Sequence, residues 1–259
     1  MFWGINFIFA AGFAEQNQIS EPNKTNRFFE SAKVDLANWP GRIIDDSKIT
    51  FLRADNFTAL LLAGGVSVVM HNSDADKNIA ENFERHRTFR GFSDESLNIL
   101  GCPGTHFAAA GLWYAASADK KDELNKDRSW TMMTALAITG LVTTGLKAAR
   151  HNDCPNGEPW AWPSGHTSSS FTVASVLDEF YGPEVGIPAY IAASLVGWRM
   201  MDTRDHWGSD VLFGATLGWV VGHTVAGKDK KLEVAGFDVL PYIATSSDSA
   251  TGVSLVKQF

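Results

Sequence analysis

A chain of 259 residues with a formal net charge of −7 and a pI near 5.5 suits one large domain, and no Ser/Gly/Pro-rich linker divides it. The acidic balance excludes nucleic acid as a partner, because a phosphate backbone demands a basic face. Any phosphate chemistry must come from a local cluster. The two cysteines, Cys102 and Cys154, are too few for a disulfide scaffold and lack the spacing and histidine companions of a zinc site.

In chain order, residues 1–14, MFWGINFIFAAGFA, have the apolar core and small residues of a secretion signal, or else form a membrane-resting segment. EQNQISEPNKTN then reads as an exposed leader and FFESAKVDLANW as a short amphipathic helix. Apolar runs follow near 57–70, 106–118, 130–149, 168–181, 187–201 and 209–226, each bounded by Gly, Pro, Asp or Asn. Strand alternation is absent from them, and their Ala/Gly/Leu/Thr content favours close helix packing, which predicts an all-α bundle with a core of about six helices. Residues 15–228 are assigned to this bundle. None of the runs combines length and freedom from charge well enough for a bilayer span of about 20 residues. With a mean hydropathy of −0.08, the expectation is a soluble or peripheral bundle. Residues 229–259 switch to short β-like runs and form an appended tail.

Chemistry concentrates in three places. GLKAARHNDCPNG puts Lys147, Arg150 and His151 at a helix C-terminus, where the dipole favours cations. PWAWPSGHTSSSF places Ser164, Gly165 and His166 where a turn feeds a helix start, which offers backbone N–H groups, hydroxyls and a positive dipole end to an anion. In WRMMDTRDHWGSDVLFG, His206 and Asp210 lie four apart, so on a helix the carboxylate would share a face with the imidazole and fix its tautomer. Each has an ordinary reading as a turn, a capped helix end or a surface pair. Together they hold what one tetrahedral oxyanion needs: charge from Lys147 and Arg199, donors from Ser164 and the Gly165 backbone, and two histidines for the ends of an in-line displacement. Trp160, Trp162 and Trp207 crowd the same motifs as packing residues or groove walls. His71, His86, His106 and His223 have no motif around them and are read as structural or exposed.

The order Lys147, Pro163-Ser-Gly-His166, then Arg199 with His206 and Asp210 resembles the signature of the type 2 phosphatidic acid phosphatase superfamily, over about residues 100–226. That superfamily includes bacterial class A acid phosphatases and vanadium haloperoxidases. The resemblance implies a helical bundle and a phosphatase that needs neither metal nor other cofactor. In it His206 attacks phosphorus, Asp210 orients His206, and His166 protonates the leaving oxygen and then activates water. Lys147, Arg199, Ser164 and Gly165 would hold the phosphate. The implied substrate is a lipid phosphate or other phosphorylated small molecule, met at a membrane surface or in the periplasm or another extracytoplasmic space. Two features depart from the pattern. Cys154 stands where the family has arginine, so that either Arg150 or Arg204 substitutes or the site holds phosphate more weakly than its relatives do, and six residues rather than five separate Arg199 from His206. A vanadate-dependent haloperoxidase and a non-catalytic phosphate or lipid binder are the competing expectations. A Cys102–Cys154 bond, formed in an oxidising compartment, is the device expected to restrain the phosphate loop in place of the arginine.

Overall fold

The computed structural model describes residues 24–228 and, beyond them, 233–234, 237–243 and 251–256. The signal-like segment and most of the polar leader lie outside the described residues. The helices are α1 (Lys24–Leu52), α2 (Ala54–Asn72), α3 (Ala75–Arg85), α4 (Phe92–Gly101), α5 (Pro103–Lys120), α6 (Glu123–Arg150), α7 (Gly165–Tyr181), α8 (Pro183–Asp202) and α9 (Gly208–Ala226). The six apolar runs correspond to α2 and α5–α9, and the fold is the expected all-α bundle. Strands β1 (Glu233–Val234), β2 (Phe237–Ile243) and β3 (Thr251–Val256) follow as an antiparallel sheet in the order β1-β2-β3, with Asp238 opposite Val256.

Two expectations change. The short helix predicted before residue 40 is the start of α1, 29 residues long with Pro40 inside it. Its continuation is fixed to α6 by hydrogen bonds from Trp39 Nε1 to Thr134 and from Arg42 to Thr131, a tertiary gain that outweighs the proline. Second, α2 and α6 are each long and apolar enough to cross a membrane by length and composition. In α6 the charges sit at the two ends, Glu123 to Arg128 and Lys147 to Arg150, and leave Ser129–Leu146 uncharged between them. The sequence reading had counted the terminal charges against the whole run.

The core lies between α6, α7 and α9, where Ala135, Leu136, Ile138, Val176, Leu217 and Val221 are buried together. The α7–α9 contact is unusually close, and its cause is a glycine every fourth residue of α9. A Cβ added to Gly214 would stand 2.8 Å from the Ser164 carbonyl oxygen, one added to Gly218 would collide with the Ser168 carbonyl oxygen, and one added to Gly222 would stand 2.7 Å from both Ser175 Cβ and the Thr172 carbonyl oxygen. The facing residues of α7 are small, so backbone meets backbone. The hydroxyls stay satisfied: Thr172 Oγ1 donates to the Ser168 carbonyl, and Ser175 Oγ donates across the seam to the Trp219 carbonyl.

Because the obstacle at Gly218 is backbone, Gly218→Ala is expected to lower stability by about 3 kcal/mol through forced separation of the helices. Gly140→Ala, on an exposed face of α6 with nothing within 4 Å, is expected to raise it by up to about 1 kcal/mol. Thermal unfolding of the two variants beside the parent chain checks both signs.

Candidate active site

The seam delivers the N-termini of α7 and α9 to the same end of the bundle. The α7 terminus is capped by buried Ser164, whose Oγ accepts from the Thr167 backbone N–H at 3.4 Å and the Thr167 hydroxyl at 2.9 Å. Its own N–H donates to the Asp210 carbonyl at 3.1 Å, tying the two helix starts together. Gly165 and His166 are the first residues of α7.

His206 is not on a helix. α9 begins at Gly208 with Trp207 as its N-cap, so the four-residue spacing to Asp210 is met by a different device than the predicted shared helix face. The chain turns through Thr203–His206, with Arg204 at φ 63° and the His206 N–H bonded to the Met200 carbonyl. Asp210, in the first turn of α9, accepts the Trp207 N–H at 2.9 Å through Oδ2 and presents the same oxygen to His206 Nδ1 at 3.4 Å. The Asp210 side chain is fully buried, and His206 Nδ1 has no hydrogen bond of its own. Nδ1 therefore faces the carboxylate, leaving Nε2 for chemistry. Asp76 of α3 secures the same helix start, accepting the Ser209 N–H at 2.9 Å and the Ser209 hydroxyl at 2.5 Å.

His166 is pushed down to about 4, by burial first and then by the nearby charges of His206 and Arg199. The sequence reading pairs these two histidines, and the charge of His206 reaches His166 in the folded chain. It set His106 aside, yet His106 Nδ1 lies 2.5 Å from the Ser169 hydroxyl, one helical turn beyond His166. Gly101 closes the other side, since a Cβ there would stand 3.4 Å from His166 Cδ2.

The loop 151–164 forms one wall. Trp160 holds a left-handed backbone at φ 73°, a conformation a bulky residue adopts only when its surroundings impose it. Lys147 Nζ supplies the restraint by donating to the carbonyls of Trp160 and Ala161. Asn152 adds two bonds, accepting from the Ala161 and Trp162 N–H groups. The Trp207 indole N–H donates to the Asp153 carbonyl at 2.8 Å, and Arg204 Nη2 donates to the Pro155 carbonyl at 2.9 Å. The proposed cystine is absent: Cys102 and Cys154 are free thiols. Cys102 caps α5, whereas Cys154 is buried in this loop and its thiol is pushed up to about 11 by burial and then by Asp210. Hydrogen bonds and the Lys147 ammonium do the restraining instead.

Residues 128–231 match the PAP2 superfamily. Over 106 residues the chain is 38% identical to the lipid A 1-phosphatase of Porphyromonas gingivalis, a match covering 38% of this chain and 24% of that protein. The chain thus spans about a quarter of that relative's length. Among solved structures, the transmembrane PAP2-type phosphatidylglycerolphosphate phosphatase of Bacillus subtilis shares the fold, with a TM-score of 0.58, 19% identity, and coverage of 68% of this chain and 96% of that one. Aquifex aeolicus LpxE aligns at a TM-score of 0.49 and 18% identity over 57% of this chain and 93% of that one.

Within the matched segment the cations expected at the phosphate are engaged by the protein itself. Arg199 donates from Nε to Asp94 at 2.7 Å and from Nη1 to Asp205 at 2.6 Å. Arg204 pairs with Glu84 at 2.7 Å, and Arg150 stacks over the Trp162 ring at 5.1 Å. Sequence reasoning missed Asp94 and Asp205. For Asp205 a signal existed, the additional residue between Arg199 and His206. Asp94 is over a hundred positions from its partner, and nothing local marks it.

The depressed His166 has a directional consequence. Its folded value lies below the usual 6.5, so between about 6.5 and about 4 the unfolded chain binds the proton that the folded chain refuses. This group's contribution to stability therefore falls as pH drops through that window. An anion bound beside His166 favours the imidazolium. NMR titration of the His166 ring is expected to show a midpoint near 4 in the free chain and a marked upward shift with vanadate bound. An unshifted midpoint would remove His166 from the anion site.

Proposed function

We propose that the chain is a metal-independent phosphatase that hydrolyses a lipid phosphate through a phosphohistidine. The observation that carries this reading is the meeting of His206, backed by Asp210, with His166 at two adjacent helix N-termini. His206 Nε2 attacks phosphorus, and the bond to the leaving oxygen breaks as His166 transfers a proton to it. Water, deprotonated by His166, then attacks the phosphohistidine and frees His206 and inorganic phosphate. Gly165 and the first N–H groups of α7, with Lys147, Ser164 and Arg199, would hold the equatorial oxygens. His166 gains its acidic proton only when the phosphate is present, because the free site disfavours the imidazolium.

A lipid as the substrate is supported by an apolar groove of about 790 Å³ whose wall includes Leu146, Arg150 and Trp162. Leu146 and Trp162, in its wall, adjoin Lys147 and Pro163, and Arg150 borders the same groove, poised near a headgroup. Phe57, Leu61 and Val68 of α2 form the opposite side. The outer faces of α2 and α8 expose Leu62, Val66, Val69, Ile187 and Ile191 in helical rows, which suits association with a membrane. The relatives are phosphatases acting on lipid phosphates, which favours this reading over the haloperoxidase and the binding protein. The signal-like residues 1–14 support an extracytoplasmic site.

Phosphate release from phosphatidate, isoprenyl diphosphate, lipid A and a soluble aryl phosphate tests the class. His206→Ala is expected to lose at least about a thousandfold on all of them, as removal of a nucleophile does, with EDTA leaving the parent activity intact. Gly65 lines the groove with open space at its Cβ position. Gly65→Phe should raise KM at least about tenfold for long-chain lipid phosphates and leave the aryl phosphate unaffected. Equal effects on both substrates would place the acyl chain elsewhere.

A further inference from the structure

Two carboxylates bind Arg199, and they are not equivalent. Asp94 lies in the first turn of α4 and is shared with Arg87, which donates to its other oxygen at 2.8 Å. Asp205 immediately precedes His206, and its charge reaches both His166 and Cys154. Its Oδ2 takes Arg199 Nη1 at 2.6 Å and the Thr203 hydroxyl at 2.8 Å, while Oδ1 takes Asn156 Nδ2 at 3.1 Å. A carboxylate and a phosphate recognise a guanidinium through the same N–H groups. With Nε and Nη1 committed, an incoming phosphate does not find Arg199 free. The Arg199 side chain is 11% exposed and that of Asp205 38%, so water reaches the carboxylate and eases its exchange for another anion.

We propose that Asp205 is an internal competitor for the substrate phosphate: it occupies Arg199 in the free site and yields Nη1 when the phosphate binds. This deepens the phosphatase reading and rests on it. The displaced carboxylate keeps Thr203 and Asn156 as donors, so the exchange swaps one charge-assisted hydrogen bond for another without stranding Asp205. Phosphate affinity is reduced by the fraction of chains whose Arg199 is taken, and so is trapping by inorganic phosphate, the product. The segment between Arg199 and His206 is one residue longer than the PAP2 pattern, which fits the insertion of a side chain with this task.

The test is binding of inorganic phosphate to the full chain by titration calorimetry, alongside KM and kcat on an aryl phosphate. Asp205→Asn is expected to bind phosphate about tenfold more tightly and to lower KM by a similar factor, while Asp205→Glu, which keeps the charge, stays near the parent. Asp205→Ser serves if Asp205→Asn does not fold, with the same expected direction. Unchanged or weaker phosphate binding by the uncharged variants, in a chain whose parent binds and hydrolyses, overturns the proposal alone. Absence of phosphate binding and phosphate release in parent and variants alike overturns it together with the functional reading.

Discussion

Everything at the candidate site depends on how closely α9 can approach α7. Gly214, Gly218 and Gly222 remove the side chains that would hold the helices apart, and the Ser/Thr face of α7 fills the seam without leaving hydroxyls unpaired. Close approach has a chemical result. It sets Asp210, in the first turn of α9, against Ser164, the cap of α7, so that two positive helix ends converge where the phosphate would lie. A pair of ordinary helices with Leu at the seam would sit 8–10 Å apart, and the Ser164–Asp210 backbone bond would be lost.

The helices were legible because their boundaries are chemical. Pro103, Asp122, Pro183 and Gly182 stop or start helices for reasons contained in a few residues. The extent of α1 was not, because Pro40 is a local stop signal that only contacts with Thr131 and Thr134, some ninety positions away, override. His206 and Asp210 illustrate a subtler limit. Their spacing correctly announced that they meet, but a four-residue interval is also what a turn followed by a capped helix start produces. Spacing fixes proximity here without fixing backbone. The cystine failed for the converse reason: two cysteines in a chain invite pairing, while the loop holding Cys154 is already closed by Lys147, Asn152 and Trp207.

The least legible part was the state of the cations. From sequence, Lys147, Arg150, Arg199 and Arg204 all read as free charges awaiting a phosphate. In the folded chain each has a protein partner, and the partners of Arg199 and Arg204 come from α3, α4 and the turn before α9. A chain of net charge −7 has carboxylates enough to find every buried guanidinium, because leaving one unpaired out of water costs several kcal/mol.

That pairing changes how the site's electrostatics should be understood. A cradle of free cations would bind phosphate strongly in every protonation state and would release it slowly. Here Lys147 also braces a left-handed tryptophan, Arg199 carries two carboxylates, and Cys154 contributes no charge. The remaining attraction comes mainly from the α7 helix start, whose N–H groups are fixed in place and cannot be neutralised by a neighbouring side chain. His166 stands inside that field and refuses a proton while the site is empty. In the proposed mechanism binding and acid catalysis are coupled: the same negative charge that would displace Asp205 from Arg199 would make His166 an acid, so the proton donor would be assembled only when there is a leaving group to receive the proton.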